Sequence, residues 1–475
     1  MKFKFYIGLF CLILFLGISC SKKSPNNNDN GGTKPPTTNP PTNTESMIIP
    51  KKGMRAAWLA TVFGLDWPQG EYNQVNQKKQ YTDYLDKFVQ LKMNAVFAQI
   101  RGMGDAFYNS PYEPWSVSIT GIRGKDPGYD VLKFMIDEAH ARNIEFHAWI
   151  NPFRIATRAS NATPYPNLHT SISANWVVSH EKWQLYNPAV PEVRQRLADV
   201  VKDIITKYDV DGIHMDDYFY PDPASAGQMV SDAGDFQTYG AGYSNIEDFR
   251  RANVDKTIKG IHDIIVATKP AVVFSISPTS DFSYNKNTLY ADIRKWATEG
   301  WMDVIIPQLY SNSNFSTKLN EWDQFNNKPH LMIGHGYYQM TNSSELTSQF
   351  NLTKSKKAVV GNLLYSAKYL NTNPTLTSTL SEVFQNPSVI PFLGRAVAAT
   401  PADPQNVRLE GNLLKWTVGG GLRSVVYFTS DLKQEAKVLG ITNQNQWDAI
   451  SAGYYSVSTI NVDNKESNVS KPVKK

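Results

Sequence analysis

Residues 210–221 read VDGIHMDDYFYP, and this stretch with its flanking segments is the clearest indication of the fold class. Val210–Asp216 is a short apolar run that ends in a carboxylate, which is typical of a buried strand. Val190–Tyr208 before it and Arg250–Thr268 after it have the apolar spacing of amphipathic helices. Helix, strand and helix in succession indicate a parallel sheet whose neighbouring strands are joined by helical crossovers.

The same alternation continues along the chain in both directions. Further strand candidates are Arg55–Thr61, Ala95–Arg101, Glu145–Asn151, Val272–Pro278, Asp303–Tyr310, Leu331–Gly336 and Ala358–Tyr365. Further helical patterns cover Gln80–Lys92, Asp130–Arg142 and Tyr290–Gly300. This repetition predicts an α/β fold, a (β/α)8 TIM barrel. A doubly wound open sheet is the alternative, although it usually carries a glycine-rich phosphate loop after an early strand, and the sequence has none.

Alternation within the strands predicts which side chains enter the barrel, because successive residues face opposite sides. The residues assigned to the interior are Phe97, Gln99, Arg101, His147, Trp149, Asn151, Gly212, His214, Asp216, Gln308 and Tyr310. Any one of these polar residues is ordinarily a hydrogen-bonded core group. Together they converge on the C-terminal ends of the strands, the face that holds active sites in such barrels.

Composition and motifs exclude several classes of function. The chain has 475 residues, and 48 Lys and Arg against 43 Asp and Glu give a net charge of +5 without a basic stripe, so no nucleic-acid partner is expected. No HExxH spacing or ligand-type cluster predicts a metal site, although His147 and His214 would share a cation if the fold brought them together. No G-x-S-x-G motif or cofactor-binding motif is present, so no cofactor is expected.

Carboxylates set among aromatic residues favour glycoside cleavage. That reaction needs one ionised acid and one protonated acid on either side of the scissile bond. Acids of this kind are Asp216, Asp217, Asp105, Glu113 and Asp281, and rings able to lie against sugars are Trp58, Trp115, Trp149 and Tyr218. The alternative interpretation of Asp216 and Asp217 is a structural one, in which adjacent acids at a strand end hold a loop by accepting backbone hydrogen bonds.

Five motifs together resemble the bacterial glycosyl hydrolase-like 10 family. They are MRAAWLATV at 54–62, GDAFY at 104–108, YEPWS at 112–116, HAWINP at 147–152 and DGIHMDDYFYP at 211–221. The resemblance extends over Gly53–Leu393. It implies a (β/α)8 glycosidase of the cell envelope, since the family includes lipoproteins that cleave peptidoglycan glycan strands already stripped of their stem peptides.

The resemblance also suggests roles for individual residues. Asp216 fits the acid at the end of the fourth strand and is expected to be the ionised one. Glu113 is the expected proton-bearing partner, with Asp217 and Asp281 in reserve. Substrate-binding roles are expected for Trp58, Arg101, Asp105, Trp115, His147, Trp149, Asn151, His214, Tyr218, Asp281, Gln308 and Tyr310.

The predicted function is therefore a glycoside hydrolase acting on an envelope glycan, with peptide-free peptidoglycan strands as the expected substrate. Two alternatives stay open at this point. One is a lipoprotein that binds a glycan without cutting it, and the other is a glycosidase of a different polysaccharide. Product release separates the first alternative from the prediction, and substrate choice separates the second.

The N-terminal residues predict export and lipid attachment. Residues 1–20 begin with Lys2 and Lys4, continue with an apolar run too short to span a bilayer, and end in LGISC. This ending resembles the lipobox of bacterial lipoproteins, which implies lipidation of Cys20, a membrane partner and a place in the cell envelope. Ordinary signal cleavage with Cys20 as a bystander is the alternative. Residues 21–47 are rich in Asn, Pro and Thr and are predicted to form a disordered tether.

A second domain is predicted after the barrel. The barrel is assigned to residues 48–398, and residues 402–475 contain short alternating runs at Val407–Leu409, Leu413–Thr417, Val425–Thr429 and Tyr454–Val462. These runs, with Trp416 in the second of them, resemble a small fibronectin type III β-sandwich. Such a module is expected to act as a spacer.

Overall fold

The structure is a computed structural model that describes residues 46–325, 328–394 and 399–475. The predicted signal segment, Cys20 and nearly all of the predicted tether lie outside the described residues. Within those described ranges, no helix combines the length and the apolar character needed to cross a membrane.

Eight strands form a closed parallel barrel. They are β1 (Met54–Leu59), β2 (Ala95–Arg101), β3 (Glu145–Ile150), β4 (Gly212–Met215), β5 (Val273–Ile276), β6 (Val304–Ile305 and Gln308–Leu309), β7 (His330–His335) and β8 (Val359–Leu364). Each strand pairs in parallel with its neighbour, and β1 pairs with both β2 and β8. The pairing of β1 with β8 closes the sheet, so the prediction of a TIM barrel is confirmed and the open doubly wound sheet is wrong.

A principal helix follows each strand. These helices are α1 (Gln74–Gln90), α2 (Val131–His140), α3 (Pro191–Lys207), α4 (Ile246–Thr268), α5 (Ile293–Glu299), α6 (Phe315–Gln324), α7 (Ser343–Ser355) and α8 (Pro374–Val383). Several begin at an Asn or Asp whose side chain accepts a backbone N–H of the first turn, as Asn73 does for α1, Asp130 for α2 and Asn245 for α4. Their starts are therefore encoded locally.

The alternation predicted for the strands is confirmed. Val96, Ala98 and Ile100 of β2 lie in the core between barrel and helices. Phe97 of β2 and Trp149 of β3 pack instead with Trp58 in a separate cluster inside the barrel. The interior is thus a filled core, and residues at the C-terminal ends of the strands form its upper surface.

Strand β6 is interrupted at Pro307. Its first part pairs with β5 and β7, and its second part pairs with β7 through Gln308 and Leu309. Proline has no N–H to donate, which explains the break in the ladder. The second part carries Gln308 up to the mouth of the barrel.

An inserted sheet between β3 and α3 was not predicted. It consists of three antiparallel strands, Arg154–Thr157, Val177–His180 and Trp183–Tyr186. Its first strand begins soon after β3 ends, so the sheet rises directly from the C-terminal rim. This position brings Arg154 and Trp183 to the mouth.

Residues 399–475 form two antiparallel sheets. One contains Gln405–Glu410, Leu413–Thr417 and Gln446–Asp448, and the other contains Arg423–Thr429, Lys437–Thr442, Tyr454–Ile460 and Val473–Lys474. The Tyr455 hydroxyl donates to the Ser451 carbonyl at 2.8 Å, a corner bond typical of immunoglobulin-like sandwiches. Strands at 437–442 and 446–448 were missed from the sequence. The fibronectin type III assignment stays a prediction.

The C-terminal sheets pack beneath the barrel, at the N-terminal ends of its strands. Met47, ahead of β1, packs in one core with Val389 and Val425. Lys52 and Glu466 form an ion pair at 2.5 Å, and Asn464 donates to Glu145 at the start of β3. These contacts leave the opposite rim, where the candidate site lies, uncovered by the C-terminal sheets.

Candidate active site

Asp216 follows β4 and lies at the mouth of the barrel with its side chain buried. Its Oδ1 accepts the backbone N–H of Tyr218 at 3.3 Å, while Oδ2 is buried with no hydrogen-bond partner among the described residues. Burial, and next the charge of Asp217, raise the pKa of Asp216 to about 8. The charge of Arg154, the Tyr218 N–H and the Trp149 indole oppose this shift only in part. Asp216 is therefore placed to hold a proton at neutral pH.

Asp217 lies beside it in a more polar setting. Burial raises its pKa to about 6, and hydrogen bonding from its own backbone and from the Gln308 amide opposes the shift. The same amide donates to the Ser277 carbonyl at 3.0 Å, which fixes its position on β6. Asp217 has the lower pKa and is the first of the two to lose its proton, and its charge then adds to the effect of burial on Asp216.

The two neighbouring acids therefore form a coupled pair. Between about pH 6 and pH 8 the pair holds one proton and one negative charge. Burial together with the charge of Asp217 gives Asp216 the higher pKa of the two, which favours Asp216 as the protonated member, whereas the sequence suggested that it is the ionised one. The combination of a protonated and an ionised acid is nevertheless the one that glycoside cleavage requires.

Arg154 and two aromatic rings border the acid pair. The guanidinium carbon lies 3.5 Å from the centre of the Tyr218 ring and 4.4 Å from that of Trp183. Tyr218 is 43% exposed, so its ring forms part of the open surface of the mouth. The charge of Arg154 lowers the pKa of both Asp216 and Asp217.

A cluster of tyrosines lines another wall. Tyr310, after β6, stacks on Tyr365, after β8, with ring centres 5.9 Å apart. Tyr338, after β7, meets both rings edge-on and is 43% exposed. Tyr310 and Tyr365 each lie close enough to the acid pair for its charge to raise their pKa, although burial is the larger cause. Aromatic faces beside carboxylates suit the apolar faces of sugar rings.

Trp58, Trp149 and His214 form the floor beneath the acids. The Trp58 indole donates to Nε2 of His214 at 2.9 Å, and Nδ1 of His214 lies 2.9 Å from the Ser275 hydroxyl. Burial holds the pKa of His214 well below its usual value. A neutral imidazole with both nitrogens occupied supports the floor and is not a proton donor to substrate.

The comparison with protein families decides the wider classification. Residues 53–351 match the family described as "Glycosyl hydrolase-like 10". The chain belongs to the glycosyl hydrolase-like 10 family. Its relatives are glycosyl hydrolases, so the prediction of a glycosidase is confirmed.

Two relatives cover most of this glycosyl hydrolase-like 10 protein. Glycosyl hydrolase YngK of Bacillus subtilis (strain 168) is 37% identical over 401 residues, which are 76% of this chain and 78% of YngK. Glycosyl hydrolase DigH of Escherichia coli (strain K12) is 30% identical over 397 residues, 70% of this chain and 89% of DigH. The PgaB (BpsB) glycoside hydrolase domain of Bordetella bronchiseptica aligns with a TM-score of 0.48 at 10% identity, over 70% of this chain and 98% of that domain. A likeness at that level carries no functional argument.

Glu113 of this glycosidase does not reach the mouth. Both of its oxygens bind the guanidinium of Arg101, at 2.7 and 2.5 Å, and both side chains are fully buried. The Arg101 guanidinium also donates to the carbonyls of Asn151 and Pro152. A carboxylate enclosed in this way cannot deliver a proton to a sugar. This geometry therefore gives no support to Glu113 as the catalytic partner of Asp216 or to Arg101 as a sugar ligand.

Asp281 is also excluded as a proton donor. Its Oδ1 accepts the Tyr284 N–H at 2.9 Å, which begins the short helix Phe282–Asn287, and its Oδ2 pairs with Lys318 at 2.9 Å. The Tyr284 N–H, followed by Lys318, lowers the pKa of Asp281. Asp281 lines a surface depression of about 490 Å³ and stays ionised.

Four other predicted residues of the glycosidase lie outside the acid–aromatic mouth. His147 stacks on Phe97 at 4.3 Å, and its Nε2 lies 3.1 Å from Glu145, toward the N-terminal end of β3. Asn151 is fully buried, accepts the Gln99 amide at 3.2 Å and has an unpartnered Nδ2. The other two are in the loop after β2: Trp115 packs against the helix-side core, and Asp105 lines a separate cavity of about 220 Å³. All four are better explained as supports of the fold than as sugar ligands.

The absence of a side chain at Gly212 leaves room for the imidazole ring of His147. A Cβ atom on Gly212 would lie 2.2 Å from Nδ1 of His147, so glycine is required where the two strands face each other. Both nitrogens of His214 already have hydrogen-bond partners, so a cation shared with His147 has no support in this geometry. Within the described residues, no group of three His, Cys, Asp or Glu side chains is arranged to hold a metal ion.

Besides Trp183 and Tyr338, sequence reasoning missed three residues of the mouth: Arg154, Asp66 and Tyr365. Asp66 lies after β1 and accepts the Ala60 N–H and the Ser366 hydroxyl, both at 2.8 Å. Burial raises its pKa to about 6, yet both of its oxygens are engaged in joining the ends of β1 and β8. Each of the three follows a barrel strand, and that position alone was the available signal.

Proposed function

We propose that this glycosidase hydrolyses peptidoglycan glycan strands that lack stem peptides, with Asp216 and Asp217 as the reacting acids. The observation that carries the proposal is a pair of neighbouring acids, Asp216 buried and Asp217 half-buried, at a mouth lined by tyrosines. The raised pKa of both acids supports it. The similarity to family members supports the glycosidic reaction. The choice of peptide-free strands rests on the family resemblance of the five sequence motifs.

In the proposed mechanism Asp216 donates its proton to the glycosidic oxygen as the bond between that oxygen and the anomeric carbon breaks. The departing sugar leaves as an alcohol. The negative charge of Asp217 stabilises the positive charge that develops on the anomeric carbon. The oxygen of one water molecule then bonds to that carbon, and the proton it loses returns to Asp216, which restores the acid. Tyr218, Tyr310 and Tyr338 offer ring faces along which a glycan strand can lie.

The test is a substrate panel with product masses as the readout. Peptide-free glycan strands, intact peptidoglycan, chitin oligosaccharides and starch are each incubated with the full chain and with D216N. We expect oligosaccharide products from the peptide-free strands with the wild type, and none with D216N. Products from starch or chitin alone would replace the proposed substrate with another polysaccharide. Binding without product from any glycan would instead favour a non-catalytic glycan-binding protein.

We also propose that the enzyme is anchored in the cell envelope by a lipid on Cys20. The support is the LGISC sequence after an apolar segment that follows two lysines. Metabolic labelling with an alkyne fatty acid is expected to label the wild type and not C20A. Equal labelling of both proteins would contradict the anchor.

A further inference from the structure

Arg154 lies at the mouth of the barrel, beside the acid pair. It begins the inserted strand Arg154–Thr157, and the rings of Tyr218 and Trp183 lie against its guanidinium. A guanidinium stacked on aromatic rings keeps its N–H groups in its own plane, directed away from the ring faces. The two rings therefore hold the group in place at the rim of the mouth, where the Tyr218 hydroxyl uses one of its N–H groups and the others have no hydrogen-bond partner among the described residues.

No carboxylate within the described residues forms an ion pair with Arg154. Two other arginines of the barrel are neutralised, since Arg101 pairs with Glu113 at 2.5 Å and Arg250 pairs with Asp232 at 2.6 Å. The charge of Arg154 does act on Asp216 and Asp217 at longer range. The mouth thus has a fixed, half-buried cation without a paired anion.

We propose that Arg154 is an anion subsite that binds a carboxylate carried by the sugar next to the Asp216–Asp217 pair. This inference rests on the proposed function and narrows its substrate class to acidic glycans. A guanidinium can bind a carboxylate through two parallel N–H···O bonds, and a neutral amide does not reproduce this charged geometry.

An anion subsite would distinguish peptidoglycan strands that carry stem peptides from strands that do not. The stem peptide is joined to the lactyl group of muramic acid through an amide, so that position is uncharged and bulky in an intact strand. Removal of the peptide by hydrolysis of that amide leaves a free carboxylate. A site built around Arg154 would therefore select strands from which the peptides have already been removed. A reaction that supplies this substrate must be an amide hydrolysis.

The test compares two forms of the same glycan. Peptide-free strands are used as prepared, or after their carboxyl groups have been converted to methylamides, which removes the charge with little change in size. For the wild type we expect kcat/KM to be roughly 10- to 100-fold higher on the acidic strands, the range for a hydrogen bond to a charged group. The full chain is used throughout.

Variants assign that preference to Arg154. R154Q is expected to lose most of the preference, so that its kcat/KM becomes similar on the two forms of the strand. Because Arg154 also lowers the pKa of both acids, its loss changes the rate on both forms, and the ratio of the two kcat/KM values at one pH is the readout. R154K should keep part of it, because the charge remains while the two-bond geometry is lost. R158Q is the matched control, since Arg158 lies in the same inserted segment against Tyr165 and is expected to leave the preference unchanged.

Three outcomes would count against the inference in distinguishable ways. Equal rates of wild type on both forms of the strand would overturn the subsite and leave the proposed function intact. A wild-type preference that R154Q retains would assign the preference to another group and overturn the role of Arg154. Product from neither form would overturn the proposed function and, with it, the subsite. Melting curves of each variant check that the comparison is made between folded proteins.

Discussion

Arg101 binds Glu113 through two hydrogen bonds, from Nε to Oε2 at 2.7 Å and from Nη2 to Oε1 at 2.5 Å, with both side chains fully buried. The Tyr186 hydroxyl donates to the same carboxylate at 3.3 Å. This network joins the end of β2 to the loop that follows it and to the inserted sheet. It is a structural element beneath the mouth and takes no part in the proton transfer.

Removal of one charge of the Arg101–Glu113 pair should therefore lower the free energy of unfolding more than it lowers kcat. In E113Q the buried guanidinium of Arg101 loses its counter-charge, and we expect a loss of about 3–5 kcal/mol in the free energy of unfolding. The kcat of the protein that remains folded should change by less than about tenfold. Denaturant unfolding and kcat measured at 15 °C provide the two numbers. A normal melting curve with kcat abolished would restore Glu113 as a catalytic acid.

The acid pair predicts a bell-shaped dependence of kcat/KM on pH. Below about pH 6 both acids are protonated, so no charge stabilises the anomeric carbon. Above about pH 8 both are ionised, and the proton donor is lost. Activity should be highest between these values, and rates on peptide-free strands in buffers of constant ionic strength will show it. An optimum below pH 5 would contradict the assignment.

Burial of Asp216 also predicts a pH-dependent cost in stability. The folded pKa of Asp216, about 8, is above the ordinary value. Between about pH 4 and pH 8 the folded protein therefore still holds a proton that the unfolded chain has already released. The wild type should lose stability across this range as the pH rises. D216N lacks the titrating group, so its Tm relative to that of the wild type should increase from pH 4 to pH 8.

D281N is the matched control for that measurement, with the opposite sign. The pKa of Asp281 is lowered by the Tyr284 N–H and then by Lys318, so its ionised form stabilises the folded state above its unfolded pKa. That stability is lost as the pH falls through the lowered value. D281N should therefore be less stable than the wild type at neutral pH.

A difference in Tm between D216N and the wild type that does not vary with pH would show that Asp216 is not buried as described.

The tyrosine wall predicts a binding defect that leaves the proton transfer intact. Y338A removes an exposed ring from the cluster with Tyr310 and Tyr365, and we expect KM for glycan strands to rise about tenfold, within the range for one aromatic contact. Y338F keeps the ring and should resemble the wild type. Initial rates over a range of strand concentrations distinguish the two parameters. An unchanged KM in Y338A would exclude this wall from the binding surface.

Much of the barrel was predictable because it is encoded in local patterns. Apolar runs such as Ala95–Arg101 recur with helical segments between them, and the alternation along β2 placed Phe97 inside and Val96 outside, as observed. Asp216 was predictable for the same reason, since it directly follows β4 and continues the interior-facing positions of that strand. Periodicity and strand position carry this information without any contact between distant residues.

The partner of Asp216 could not be predicted in this way. Glu113 and Asp281 have the same residue type and strand-end position as a catalytic acid, and only the positions of Arg101 and Lys318 show that both carboxylates are already paired. Arg154 was missed because its strand belongs to an insertion with no pattern of its own in the barrel repeat. Pairing and burial are long-range properties, and they decide which acids of a rim are able to react.

The most direct test of the central claim is the rate at which reducing ends are released from peptide-free glycan strands by D216N, measured at pH 7 beside the wild type and D281N. We expect D216N to lose roughly 10²- to 10⁴-fold in kcat with no decrease in Tm, as befits a proton donor, while D281N remains within a few-fold of the wild type. Turnover by D216N within about tenfold of the wild type would contradict the claim that Asp216 carries the reaction.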